Sequence, residues 1–329
     1  MILDVIDGGL LTTVQDAGRP DAAHLGVPES GAADRRSLAV ANLLVGNEPD
    51  AAALEITIAG PTLVAHGDGP IALAGAELGA RVVGGRRLAV GRSHWLAAGE
   101  QVAFDGGAVG ARTYLAVPGG VDVPVVLDSR STCLAGAFGG LAGRPILAGD
   151  RIVSAIQDER ECRELVWPDL DEPIVEPSGR AGDEPVVLRV LPGLDPGLDS
   201  LAAAAWRVGS AADRVGVRLD GEPLPDGIGG ETLTHGVPWG AIQVPPDGRP
   251  IALGVDHQTT GGYRVVAVVI AADRPTLGQL RPGDPVRFVA TDAATAVAAL
   301  RAQRDVLASG ARALREAAGW ERLAASAGG

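Results

Sequence analysis

The chain has 329 residues, 46% of them apolar, and carries 41 acidic against 28 basic side chains, for a net charge of -13. That apolar share supports a sizeable core and excludes wholesale disorder. The negative balance argues against nucleic acid or an anionic membrane surface as a partner, because both require a basic footprint. The chain contains no lysine. A phosphate loop of the lysine-bearing kind, a Schiff-base enzyme and a biotin-accepting domain are therefore set aside. The two cysteines, Cys133 and Cys162, are too few for a disulfide framework and fit no zinc spacing. The five histidines show no metal-binding spacing either, so no metal site is expected. Met1-Ile2-Leu3-Asp4 lacks the pattern of a signal peptide, and no apolar run reaches the ~18 residues of a membrane span. The expectation is a soluble, cytoplasmic protein.

In chain order, a strand-like start leads into Thr12-Thr13-Val14-Gln15-Asp16-Ala17-Gly18-Arg19. Gln15, Asp16 and Arg19 can together hold an amide, a carboxylate or a phosphate; the alternative is a structural Asp–Arg pair. Gly26 to Asp34 follows, where Ser30 or Asp34 is placed to cap a helix predicted over Arg35 to Val45, with Gly46-Asn47 as its stop. Leu54-Glu55-Ile56-Thr57-Ile58 alternates with the period of a strand, and Ala80 to Val90 predicts a hairpin turning at Gly84-Gly85. Leu127-Asp128-Ser129-Arg130-Ser131-Thr132 suits a carboxylate or phosphate, with Arg130 as a bidentate donor; it can equally be a polar turn bonding its own backbone. Ala98-Gly99-Glu100, Ala148-Gly149-Asp150 and Pro282-Gly283-Asp284 share one shape, a glycine and an acid before a strand.

Residues 156–185 are rich in Asp, Glu and Pro and have little periodicity, so they read as a linker between a first unit, 1–155, and a second, 186–290. In the second unit Leu198 to Val208 predicts a helix, Asp213-Arg214-Val215-Gly216 enters a strand, and Pro245-Pro246-Asp247-Gly248 predicts a turn just after Gln243. Asp256-His257-Gln258-Thr259-Thr260-Gly261-Gly262-Tyr263 is the densest polar run, read as a loop between two buried strands. Polar groups cost free energy to bury without partners, so this run points to binding. Residues 291–329 predict a tail of one or two amphipathic helices, docked on the body.

Taken together, LLTTVQDAGR, LGVPESGAAD, ANLLVGN, ALEIT, YLAVPGGVDVP, SRSTCLAGAFGG, ADRVG, GAIQVPPDGRPI, DHQTTGGY and LRPGD resemble the carboxyltransferase-domain family. It includes the C-type subunit of 5-oxoprolinase, allophanate hydrolase subunit 2 and the carboxyltransferase part of urea amidolyase. The resemblance implies a mainly β fold of two cyclophilin-like β-barrel subdomains with a few short helices and a helical C-terminal tail. It implies a smaller, B-type subunit of the allophanate hydrolase subunit 1 type as partner, a third 5-oxoprolinase subunit, and ATP-dependent opening of 5-oxoproline to glutamate. An alternative it also carries is carboxyl transfer to urea-type amides from carboxybiotin, with the biotin on another chain. A third, from a different class, is a non-catalytic regulatory partner of a kinase-inhibitor-like subunit.

For the 5-oxoprolinase case, Arg130 or Arg19 would hold the lactam's carboxylate. Gln258, Thr259, Thr260 and the amides near Gly261 and Gly262 would bind the amide or developing oxyanion. Asp256 or Asp16 would orient a donor or take a proton. Gln15, Ser129, Ser131, Thr132, Gln243 and Tyr263 complete the expected substrate site. The chain departs from the family pattern at Ala33, where methionine is usual, and at His257, where arginine is common.

Overall fold

The computed structural model describes residues 1–156, 164–168 and 184–319. The first unit contains ten strands: β1 (Ile2–Asp7), β2 (Leu11–Gln15), β3 (Ala53–Thr57), β4 (Thr62–Ala65), β5 (Gly69–Gly75), β6 (Ala80–Val82), β7 (Arg92–Leu96), β8 (Gln101–Phe104), β9 (Arg112–Ala116) and β10 (Arg151–Val153). They form two five-stranded sheets, ordered β10-β1-β4-β8-β6 and β2-β3-β9-β5-β7. Leu3, Val5, Leu63 and Val102 of one sheet share a buried cluster with Val14, Leu54, Ile56 and Leu73 of the other. β4 is buried at every second residue, as expected of a strand with one wet face. β5 and β9 are buried throughout, because α1 (Arg35–Leu44) covers their outer side with Leu38 and Leu44 against Ala72, Ala74 and Tyr114.

The second unit contains β11 (Val186–Pro192), β12 (Trp206–Val208), β13 (Gly216–Asp220), β14 (Glu231–Gly236), β15 (Ala241–Val244), β16 (Ile251–Leu253), β17 (Thr260–Val269) and β18 (Pro285–Ala290). β11 pairs with β18 in parallel on one side and with β17 antiparallel on the other. That double pairing closes a barrel of seven strands, with β14 appended to β17. Closure leaves those seven strands no free edge. Leu188, Val190, Trp206, Leu219, Ile242, Val266 and Phe288 fill it. The protein is thus mainly β, with few helices and a helix at its C-terminal end. In the first unit no described strand pairing joins the two sheets; they share one core, and the 121–122 segment bonds both Ala52 beside β3 and Val153 of β10.

The local signals have physical counterparts. Asp34 caps α1 by accepting from the Ser37 amide at 3.0 Å. At the three glycine–acid turns, Gly99, Gly149 and Gly283 all have φ between 86 and 92°, a region where a side chain is strained. The following acid accepts an amide three residues back each time: Glu100 from Ala97, Asp150 from Leu147, Asp284 from Arg281. The helix predicted over Leu198 to Val208 is shorter. α2 covers only Leu198–Ala203, and Trp206 and Val208 turn inward on β12. A buried aromatic and a β-branched side chain favour that pleated position over another helical turn.

α3 spans Arg274–Gln279, and the tail is a single helix, α4 (Ala293–Ala318), capped by Asp292. Ala311 and Leu314 of α4 are buried against the α1 cluster, and Trp167 packs on Gly310. The tail beyond 319, Cys162 and most of the expected linker lie outside the described residues. No helix among the described residues is long and apolar enough to cross a membrane.

Candidate functional site

The two units are joined by a buried network of charge. Arg214, on the loop before β13, is 4% exposed. Its Nε and Nη2 grip Asp256 at 2.7 and 3.1 Å, its Nη2 also donates to the Gly31 carbonyl at 2.8 Å, and its Nη1 donates to Glu55 of β3. Glu55, 1% exposed, also accepts from the Tyr114 hydroxyl at 2.7 Å and the Ala33 amide at 2.9 Å, with Arg112 at 3.4 Å. Burial pushes the Glu55 carboxyl upward, but Arg214, Arg112 and the two hydrogen bonds together hold it below its ordinary value. Burial opposes the charge on Arg214 as well, and Asp256 and Glu55 outweigh it, so its pKa is raised. Gln279 of α3 extends the network, donating to Asp34 at 2.8 Å and accepting from the Ala111 and Arg112 amides. A cavity of about 30 Å³ beside Arg112, Arg214 and Trp239 has room for about one water.

Next to this junction the end of β2 meets the 129–132 segment. Asp16 accepts from the Gly18 amide at 2.8 Å, the Ser129 hydroxyl at 2.7 Å, the Arg130 amide at 2.5 Å and the Ser131 hydroxyl. Gln15, fully buried, donates to Thr13 and to the Thr132 carbonyl. Arg19 is 2% exposed and lies 5.1 Å from the Phe138 ring centroid. Its Nη2 donates to the Ser131 carbonyl at 2.5 Å. Its Nε and Nη1 are buried with no partner among the described residues, and so is the Ser30 hydroxyl. The two residues share one stretch of backbone pairing, since the Arg19 amide donates to the Glu29 carbonyl at 2.7 Å. Burial pushes the Arg19 guanidinium below its ordinary value, while Cys133, Asp16 and Asp256 act the other way.

A buried charged donor without an acceptor is costly. Arg19 and Ser30 thus mark a candidate anion cradle. Ser30 itself sits at positive φ, as do Leu127 and Asp128 just before the 129–132 segment and Ala137 next to Phe138. Strain of ~1–3 kcal/mol at each such residue is typical of functional loops.

The structure redistributes the roles expected of the other candidates. Every oxygen of Asp16 and Asp256 is already bonded, so the geometry supports an orienting task for both rather than proton transfer. Arg130, partly exposed, folds back on the Val123 carbonyl and lies 3.9 Å from Asp122, whereas the partnerless nitrogens of Arg19 are buried. Thr260 to Tyr263 belong to β17 and not to a loop; Gly261 pairs with His235 and Tyr263 with Glu231. Glycine at 261 lets Gln243 approach, for a Cβ there would collide with Gln243 Nε2. Gln258 donates to Gln243 at 3.2 Å, and Gln243 Nε2 is a further buried donor without partner. Among the described residues, no hydrogen bond ties the side chains of Thr259, Thr260 or Tyr263, or the backbone of Gly262, to Arg19 or Ser30.

Four residues escaped the sequence. Glu55, Arg112, Tyr114 and Gln279 carry the junction, and distant partners alone reveal it; Glu55 and Arg214 stand 159 residues apart in the chain. His257 stands next to the clasped Asp256. Burial pushes its imidazole below the ordinary value, and its Nδ1 is 2.6 Å from the Gln258 carbonyl. A carbonyl can only accept, so Nδ1 carries the proton and Nε2 keeps a lone pair.

The sequence of residues 25–290 matches the model of the carboxyltransferase domain, subdomain A and B. The chain belongs to this family. It is 37% identical over 293 residues to the C-type subunit of the 5-oxoprolinase of Escherichia coli, covering 88% of this chain and 91% of the relative. Among solved structures, TTHA0988 superposes with a TM-score of 0.78 at 36% identity over 88% of this chain; the chain spans about half, 55%, of that protein. The urea amidolyase of K. lactis superposes with a TM-score of 0.81 at 28% identity, over 94% of this chain and 20% of that one. The family's relatives are thus named as parts of enzymes.

Proposed function

We propose that this chain is the C-type subunit of an ATP-dependent 5-oxoprolinase, which opens 5-oxoproline to glutamate in complex with a smaller B-type subunit and a third subunit. One observation carries this beyond the likeness to the E. coli relative: the guanidinium of Arg19, almost wholly buried, keeps Nε and Nη1 without acceptors. Nε–H and Nη1–H point to opposite sides of the guanidinium, so each can meet a single acceptor oxygen, and 5-oxoproline brings a carboxylate that supplies one. Urea itself brings none, so on the side of the small substrate the arginine favours the lactam over a urea-type amide.

In this proposal Arg19 holds the carboxylate and the Ser30 hydroxyl bonds one of its oxygens or the ring amide. The Gln258–Gln243 pair presents amide groups to the lactam from the second unit. Asp16 and Asp256 fix the loops, and His257 Nε2 accepts a proton during ring opening. ATP is the co-substrate that the complex consumes; the part of this chain is to seat the lactam. The test is ATP hydrolysis and glutamate formation by the reconstituted three-subunit complex, with and without 5-oxoproline. Stimulation by 5-oxoproline, lost in Arg19→Gln, is the expected result. A well-folded complex that 5-oxoproline does not stimulate would overturn the proposal.

A further inference from the structure

A second set of basic side chains lies beside the cleft with no task in seating a lactam. Arg35 opens α1 and Arg274 opens α3. Their guanidinium carbons lie 5.0 and 5.1 Å from the centroid of the same Trp239 ring. Trp239 is itself 5% exposed, packed with Ala33 and Val255, so the two arginines converge on a fixed plate. A guanidinium stacked on an indole engages its face only, and its in-plane N–H groups stay available.

Arg35 gives one N–H to Glu29 at 2.6 Å. For Arg274, which is half-buried, no acceptor is found among the described residues. Nε of both arginines is buried without partner. Arg189 and Arg144, half-buried elsewhere in the protein, are gripped by Asp273 and Asp150. Glu29 brings one negative charge against two guanidiniums, so the group has a surplus of positive charge. Burial pushes the Arg274 guanidinium below its ordinary value, with Glu29 opposing and Arg35 adding to the effect.

We propose that Arg274 and Arg35, stacked on Trp239, form a binding subsite for a tetrahedral oxyanion of the phosphate class, separate from the Arg19 cradle. A flat carboxylate is satisfied by one fork, as Asp256 is by Arg214. Donors arriving from two helices suit an anion whose oxygens point in several directions and whose charge exceeds one. The subsite stands on this geometry alone, whichever amide the neighbouring pocket takes.

The test is titration of the full-length chain with inorganic phosphate, followed by ³¹P line broadening and calorimetry at low ionic strength, with acetate as competitor. Expected are saturable binding that acetate does not displace, a weakening of about tenfold or more in Arg274→Gln, and no change in Arg19→Gln. Arg274→Lys, which keeps the charge but loses the fork, should fall between wild type and Arg274→Gln and serves if the latter folds poorly. Absence of saturable phosphate binding overturns the subsite. So does undiminished binding in Arg274→Gln and Arg274→Lys, or loss confined to Arg19→Gln, which would put the phosphate in the other pocket. Displacement by equimolar acetate would overturn the phosphate class.

Discussion

Arg214 and Arg19 are buried to nearly the same extent, 4% and 2% exposed, yet they live in opposite circumstances. Each nitrogen of Arg214 has an acceptor: Asp256, Glu55 or the Gly31 carbonyl. Arg19 has one bond, to the Ser131 carbonyl, and two nitrogens with none. A buried cation with every donor used is architecture. One with donors to spare is held ready by its surroundings for something that arrives later. Burial alone does not separate the two cases; only the tally of acceptors does.

The sharpest way to break this contrast is at the junction. Glu55→Gln takes away the charge on which Arg214 and Arg112 converge and should lower unfolding stability by about 3–5 kcal/mol. Urea melts would show it, and a variant as stable as wild type would mean that the network is not what joins the units. Arg19→Met should behave in the reverse manner. Removal of an unpaired buried charge leaves stability equal or higher, while kcat/KM for the lactam falls about 100-fold, or ~2.7 kcal/mol. If Arg19→Met unfolds the protein, Arg19 belongs with the architecture.

Ser30→Gly sharpens the comparison further. It relieves the positive φ, raising stability by up to ~1 kcal/mol, and removes the spare hydroxyl, so kcat/KM should drop about tenfold. Unchanged turnover would dissociate Ser30 from the site. The smallest effect concerns pH. The folded pKa of His257 lies below the ordinary 6.5. The unfolded chain therefore binds the proton first, and stability falls as pH drops below about 6.5 toward the folded pKa, by at most ~1.4 kcal/mol per pH unit. His257→Asn should flatten that part of the stability profile; an unaltered slope would refute it.

Much of this fold was legible because it is written locally. The Asp34 cap, the three glycine–acid turns and the Pro245–Gly248 turn, whose Gly248 amide donates to the Pro245 carbonyl at 3.0 Å, involve residues three apart. The tail's apolar spacing likewise foretold a docked helix. What escaped is what depends on distant partners. In Leu54-Glu55-Ile56 the alternation marks a strand, but it does not say that the polar side of the pleat meets Arg214 instead of water. Trp206 and Val208 kept a helical pattern until the pairing of β12 with β13 and β18 decided otherwise. The polar runs around Arg19 and Asp256 were visible in sequence. That Asp256 is spoken for and Arg19 is not depends on hydrogen-bond geometry, which composition does not encode.

The cleft between two units is where many enzymes bend. Here the fork of Arg214 bolts the second unit to Gly31 and Glu55 of the first. α4 adds a second bolt, resting on α1 on one side and reaching the Ala272 carbonyl through Gln303 on the other. Two fastenings at separate points restrict any swing of the halves to the line through them, and Gln279 on Asp34 and Arg281 on the Gly110 carbonyl add further ties. Admission of a ligand then falls to the small loops, among them the Leu127–Asp128 turn with its two positive φ angles. The protein works less like a jaw than like a vice already set to its gauge.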